Sequence, residues 1–169
     1  MQAPALTPLA AAVLHVGPAP ERILEIECGE GDGVFFLARE FPAARVRGVD
    51  RDQGLVRAAA RRVGLDPEGR VAFKVGHPRS LPYPSDFFDL VVLVDAPPPV
   101  AEVARVLRPG GHLIVSRSRD RGRDRGLRRR LARWRLGRHR IELCAGAAAG
   151  DGSFSVARLS GDGPAAPAD

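Results

Sequence analysis

Apolar and polar positions along the first two thirds of the chain alternate between two rhythms. "RILEIE" (22–27) is a short apolar run that reads as a buried strand, and "GVFFLAREF" (33–41) shifts to helical spacing. "RVRGVD" (45–50) alternates with a period of two, as a strand does, and "QGLVRAAARRV" (53–63) is an alanine-rich helix. "VAFKVG" (71–76) alternates again. "FFDLVVLVD" (87–95) is apolar on both faces, the mark of a central parallel strand. "VAEVARVL" (100–107) predicts an amphipathic helix stopped by "RPGG", and "HLIVS" (112–116) a fifth strand. Upstream, Thr7 and Pro8 supply an N-cap and first-turn pair for a short helix to about His15.

Strands separated by single helices predict a doubly wound, mostly parallel α/β sheet with helices on both faces, because each right-handed crossover needs its helix. The last third is different in pattern. "LRRRLARWR" (127–135) predicts one helix. "IELCA" (141–145) and "FSVARL" (154–159), separated by a glycine- and alanine-rich turn, predict an antiparallel hairpin at the sheet edge. We expect one domain over residues 1–160 and a disordered tail over 161–169.

Charge adds one feature to this picture. Residues 117–140 hold 12 arginines against Asp120 and Asp124, so the net charge of +6 is a property of that segment. Arginine dominates lysine throughout, which matches a bias towards GC-rich codons, and Trp134 is the only aromatic in the segment for stacking on a base. A solvated helix is therefore favoured over a nucleic-acid surface. No apolar run approaches the ~18 residues that span a bilayer, and "LTPLAAAVLHV" has no basic residues before it. The expectation is a cytoplasmic protein without a membrane segment. Cys28 and Cys144 lack CxxC spacing and clustered histidines, which predicts neither a metal site nor a disulfide.

The chemistry concentrates in "ILEIECGEGDG" (23–33), where a strand runs into a glycine turn carrying Glu25, Glu27, Glu30 and Asp32. A turn that binds phosphate offers backbone N–H groups and avoids anions, so this one suits a cationic or hydroxyl-rich ligand. Dinucleotide binding requires GxGxxG, and "GEGDG" spaces its glycines two apart.

"ILEIECGEG", "VRGVD", "LPYPSDFFDLVVLVDA" and "VARVLRPGGHLIVS" together resemble the successive motifs of the class I S-adenosylmethionine-dependent methyltransferases, in order and at the usual spacings over residues 20–118. The resemblance implies a Rossmann-like seven-stranded sheet with an antiparallel last strand, S-adenosyl-L-methionine as cofactor and methyl transfer to a nucleophile. The cofactor carries a sulfonium, an ammonium and a ribose diol but no phosphate, which accounts for the acids.

By the same resemblance the cofactor pocket draws on Glu25, Glu27, Cys28, Gly29, Gly31, Asp50, Arg51, His77, Pro78 and Val94. Asp50 would accept from the ribose hydroxyls, Glu25 would help to orient the methionine end, and Gly29 and Gly31 would let the backbone pass close to the ligand. Three positions depart from the family pattern. Glu27 stands where the family has the first glycine of its turn, and its side chain is expected to fill space at the methionine end. His77 and Pro78 replace the Gly-Asp region's acceptor and N–H donor for adenine; proline has no N–H.

A small-molecule acceptor is favoured, with His15, His112 and His139 as candidate bases; catalytic residues are otherwise unassigned. "DAPPPV" (95–100) resembles the (Asp/Asn)-Pro-Pro-aromatic motif of nucleic-acid amino-methyltransferases but has no aromatic, and it reads as a rigid loop. The alternative to an enzyme is a methyltransferase-like protein that binds cofactor weakly and serves as a partner or regulator.

Overall fold

A computed structural model describes residues 7–119 and 141–160. The predicted helix over 127–135, the tail over 161–169, and most of the arginine segment lie outside the described residues. The elements are α1 (Thr7–Val13), β1 (Arg22–Ile26), α2 (Asp32–Glu40), β2 (Arg45–Asp50), α3 (Gln53–Arg61), β3 (Val71–Val75), β4 (Phe88–Val94), α4 (Val100–Val106), β5 (Leu107–Arg117), β6 (Ile141–Ala149) and β7 (Gly152–Leu159).

The strands form one seven-stranded sheet in the order β3-β2-β1-β4-β5-β7-β6. β1 to β5 are parallel to one another, and β7 lies antiparallel between β5 and β6. The expected seven-stranded, mostly parallel sheet with an antiparallel last strand is what forms. The hairpin also forms at the edge, with β6 continuing through Ala149 before it turns.

Period-two alternation divides the core between two faces. Leu90 and Val92 of β4 pack with Ile23, Val46, Leu37 of α2 and Leu9 of α1, while Val91 and Leu93 pack with Leu24, Leu113 and Val103 of α4. β4 is buried from Phe88 to Leu93, as a strand with covered faces must be.

Strand order reverses between β1 and β4: from β1 the chain proceeds to β2 on one side, and β4 and β5 lie on the other. At such a switch point the loops leaving the carboxyl ends of the two strands diverge and leave a crevice. "ECGEGD" leaves β1 there and "DAPPP" leaves β4.

Two differences from the periodicity reading have local causes. β5 begins at Leu107, because the "RPGG" taken as a helix stop is accommodated as an irregularity between Leu107, paired with Phe88, and His112, paired with Leu90. The predicted helix over 53–63 ends at Arg61, ahead of Gly64 at φ 66.

Candidate functional site at the carboxyl ends of β1 and β4

The turn after β1 places every second residue in the left-handed region: Glu27 at φ 57, Gly29 at φ 55 and Gly31 at φ 87. For glycine this costs nothing, but for Glu27 it costs roughly 1–2 kcal/mol because Cβ crowds the following carbonyl. Asp50, at the end of β2, ties this turn down. Its Oδ2 accepts from the Gly29 N–H and its Oδ1 from the Asp52 N–H, both at 2.9 Å. Asp52 in turn caps α3, accepting from Gly54 and Leu55. Asp50 is buried, so these charge-assisted bonds are shielded from water.

The four acids of the turn have separate surroundings. Glu25 is buried under the first turn of α2, where Gly33 leaves room for it: a Cβ there would lie 2.2 Å from its Oε1. Burial, with help from the Asp32 carboxylate, pushes its pKa up to about 8 against the pull of the Val34 N–H, and Oε2 has no hydrogen-bond partner among the described residues. Asp32 pairs with Arg62 at 2.8 Å, and the same guanidinium donates to the Glu30 carbonyl. Glu27 turns towards Arg51, 3.4 Å away.

A cleft of about 650 Å³ opens at the switch point, lined by Glu27, Arg51, His77, Pro78, Arg79, Val94 and the loop Asp95–Pro99. Five expected site residues therefore meet on one cleft: Glu27, Arg51, His77, Pro78 and Val94. The other five stand behind or beside it. Gly29 has nothing within 4 Å of a Cβ position, so its α-carbon faces open space. Gly31 faces Phe73 and Ala59 instead, and its missing Cβ serves packing. Cys28 is buried, its thiol pushed up to about 12 by burial and by the carboxylates of Glu25 and Asp50. Glu27 lines the cleft, its carboxylate directed to Arg51.

The far wall is fixed from α4. Glu102 accepts from the Leu81 N–H at 2.7 Å and pairs with Arg105, whose guanidinium also donates to the Leu81 and Tyr83 carbonyls. Arg105 holds the Glu102 carboxyl below the usual carboxylate range. His77 and Pro78 form a tight turn in which Ser80 donates to the His77 carbonyl and Arg79 to His77 Nδ1. Nδ1 thus accepts, and a neutral ring carries its proton on Nε2.

Asp95 was not expected at the site. It lines the cleft at φ 56, its Oδ1 accepting from the Ser118 N–H. The available signal was its position as the acid immediately following a buried strand. The candidate bases fare differently. His112 lies in a separate cavity of about 370 Å³ lined also by Pro20, Asp89, Arg108 and Arg158, at the ends where β4 and β5 begin. It is removed from the cleft. Burial and Arg158 hold its pKa low. His15 packs on Phe154 with ring centroids 5.4 Å apart, and His139 lies outside the described residues. Among the described residues no group of three His, Cys, Asp or Glu side chains is placed to hold a metal, and no helix is long and apolar enough to cross a membrane.

The lining suits a ligand that carries charges of both signs. Glu27 and Asp95 line the cleft together with Arg51 and Arg79, the Gly29 N–H of the turn is already committed to Asp50, and a Cβ at Gly29 would meet nothing within 4 Å. These are the features expected for an S-adenosylmethionine pocket.

Comparison with known proteins agrees with this reading. Residues 23–111 match the family described as a methyltransferase domain. Over 109 residues the chain is 36% identical to the phthiotriol/phenolphthiotriol dimycocerosates methyltransferase of Mycobacterium leprae, a match covering 60% of this chain and 39% of that protein. It is 34% identical over 108 residues to the fatty-acid O-methyltransferase of Mycolicibacterium smegmatis, covering 60% and 38% respectively. The chain thus spans about two fifths of the length of these curated relatives. A crystal structure of an S-adenosylmethionine-dependent methyltransferase from Aquifex aeolicus superposes with a TM-score of 0.70 over 92% of this chain and 90% of that one, at 17% identity, a likeness of fold.

Proposed function

The chain belongs to the class I methyltransferase-domain family, and from that membership we propose that it transfers a methyl group from S-adenosylmethionine to a small, lipid-like acceptor. The observation carrying the proposal is the cleft at the β1/β4 switch point, walled by Glu27, Asp95 and Val94 and bordered by the Gly29 turn. The cofactor supplies an electrophilic methyl group on a sulfonium. Glu27 and Asp95 with Arg51 and Arg79 give the cleft charges of both signs, as the ammonium, sulfonium and carboxylate of the cofactor require, Gly29 lets the ligand approach the backbone, and Asp50 keeps the turn in shape from beneath. We assign the ribose contact to Asp50, whose oxygens keep further lone pairs after accepting one N–H each. The candidate bases His15 and His112 do not line the cleft, which suits an acceptor that is already nucleophilic and is brought in line by binding. The lipid-like acceptor is supported by the relatives, one of which is a fatty-acid O-methyltransferase.

One observation favours a second reading. Pro78 forms part of the cleft wall and has no N–H to offer adenine, so a methyltransferase-like protein with weak cofactor binding, acting as a partner, is the alternative. Calorimetric titration of the chain with S-adenosylmethionine separates the two. Saturable one-to-one binding, with no comparable heat from NAD, is expected. Absence of binding up to millimolar cofactor overturns the enzyme reading.

A further inference from the structure

We propose that Glu27 is a specificity residue that reads the positive charge of the methyl donor, with Arg51 as its resting partner in the cleft. The inference rests on the cofactor reading above and adds a discrimination between donor and demethylated product.

Three observations carry it. First, Glu27 is one of only two non-glycine residues lining the cleft in the left-handed region. Glycine would hold the same backbone without strain; strain of this kind, kept at a cleft, points to use of the side chain. Second, the carboxylate is not buried away like Glu25 or tied to the turn's backbone like Asp50. Its side chain is 21% exposed, and its ion-pair partner among the described residues is Arg51 at 3.4 Å. Third, the Arg51 side chain is 67% exposed, so the pair is held loosely in water and exchanges readily for a better partner.

The consequence is a difference between ligands. S-adenosylmethionine and S-adenosylhomocysteine share adenosine, ammonium and carboxylate, and differ by a methyl group and the sulfonium charge. Any contact of Arg51 with the shared carboxylate cancels in their ratio, and so does the close approach at Gly29. A carboxylate that exchanges Arg51 for the sulfonium gains only with the donor. Asp95 also lines the cleft, but its Oδ1 is engaged by Ser118.

The test is calorimetric titration of wild type, Glu27→Gln, Glu27→Gly and Arg51→Ala with both ligands, with thermal melts to verify folding. Wild type is expected to bind S-adenosylmethionine about tenfold more tightly than S-adenosylhomocysteine, the usual scale of one partly exposed charge-assisted contact. Glu27→Gln and Glu27→Gly should bring the ratio close to one, and Arg51→Ala should raise it. The ratio falls with ionic strength in wild type and Arg51→Ala and stays flat in the two Glu27 variants. A wild-type ratio near one, or one that Glu27→Gln leaves intact, overturns the Glu27 assignment while the cofactor reading stands. Failure of every protein to bind either ligand removes both.

Discussion

Glu25 gives the sharpest stability test. Its carboxyl is buried beneath α2, its Oε2 lacks a partner, and its pKa rises from 4.5 to about 8 in the folded chain. Between those values the folded protein holds a proton that the unfolded chain has released. Stability from this group is therefore complete below pH 4.5, declines as pH rises, and levels off above about 8. At about 1.4 kcal/mol per pH unit the full decline has a ceiling on the order of 5 kcal/mol, and relaxation of the site lowers it. Glu25→Gln keeps the size of the side chain and removes the titration. Urea unfolding of both proteins between pH 5 and 8 isolates the group, because every other titration is common to the pair. Wild type should lose roughly 1 kcal/mol per pH unit relative to the variant. A difference that stays flat across this range refutes the buried, protonated Glu25, and a difference of opposite slope would mean that the Val34 N–H outweighs burial.

Two further substitutions probe the scaffold of the site. Asp50→Ala removes the acceptor of the Gly29 and Asp52 N–H groups and should cost about 2–4 kcal/mol of stability in urea unfolding, as expected for two hydrogen bonds to a charged group. A loss below 0.5 kcal/mol, on the order of an ordinary surface change, would contradict the tethering. Gly33→Ala drives a methyl group into the Glu25 carboxyl, with which a Cβ would be 2.2 Å apart, and should cost about 2–3 kcal/mol by overpacking. In the double variant Gly33→Ala with Glu25→Ala most of that loss should be recovered; additive losses would mean that the clash lies elsewhere.

Much of the fold was legible because the inner strands have strong signals. β4, apolar on both faces, and the alternating β2 could be read within a residue or so, and Asp50 could be placed at a strand end. What the pattern did not reveal depends on partners distant in sequence. "RPGG" is a stop signal by local chemistry, yet Leu107 pairs with Phe88 and the strand resumes against Leu90. Ala145–Ala149 has little strand propensity and becomes β6 because β7 supplies a ladder from Gly152 to Val156. At the site the sequence indicated which residues gather at the strand ends. It was silent on which way they face: Gly31 towards Phe73, His112 into the other cavity, Asp95 onto the cleft.

The acids that mark this turn therefore do not act together on a ligand. Asp32 is matched by Arg62, so its charge is largely answered outside the cleft. Glu25 sits where a carboxyl with a pKa of about 8 is mostly protonated at neutral pH, and it contributes little field there. Asp50 spends one lone pair of each oxygen on the backbone. Glu30 is exposed on the outer side, where its carbonyl, rather than its carboxylate, binds Arg62. What remains on the cleft from this turn is Glu27, the one acid of the four whose backbone lies in the left-handed region. An acid-rich stretch is thus compatible with a ligand that carries its own carboxylate, because Glu25 is buried, Asp32 is paired away from the cleft, Glu30 is exposed, and Glu27 alone of the four lines the cleft, beside Arg51.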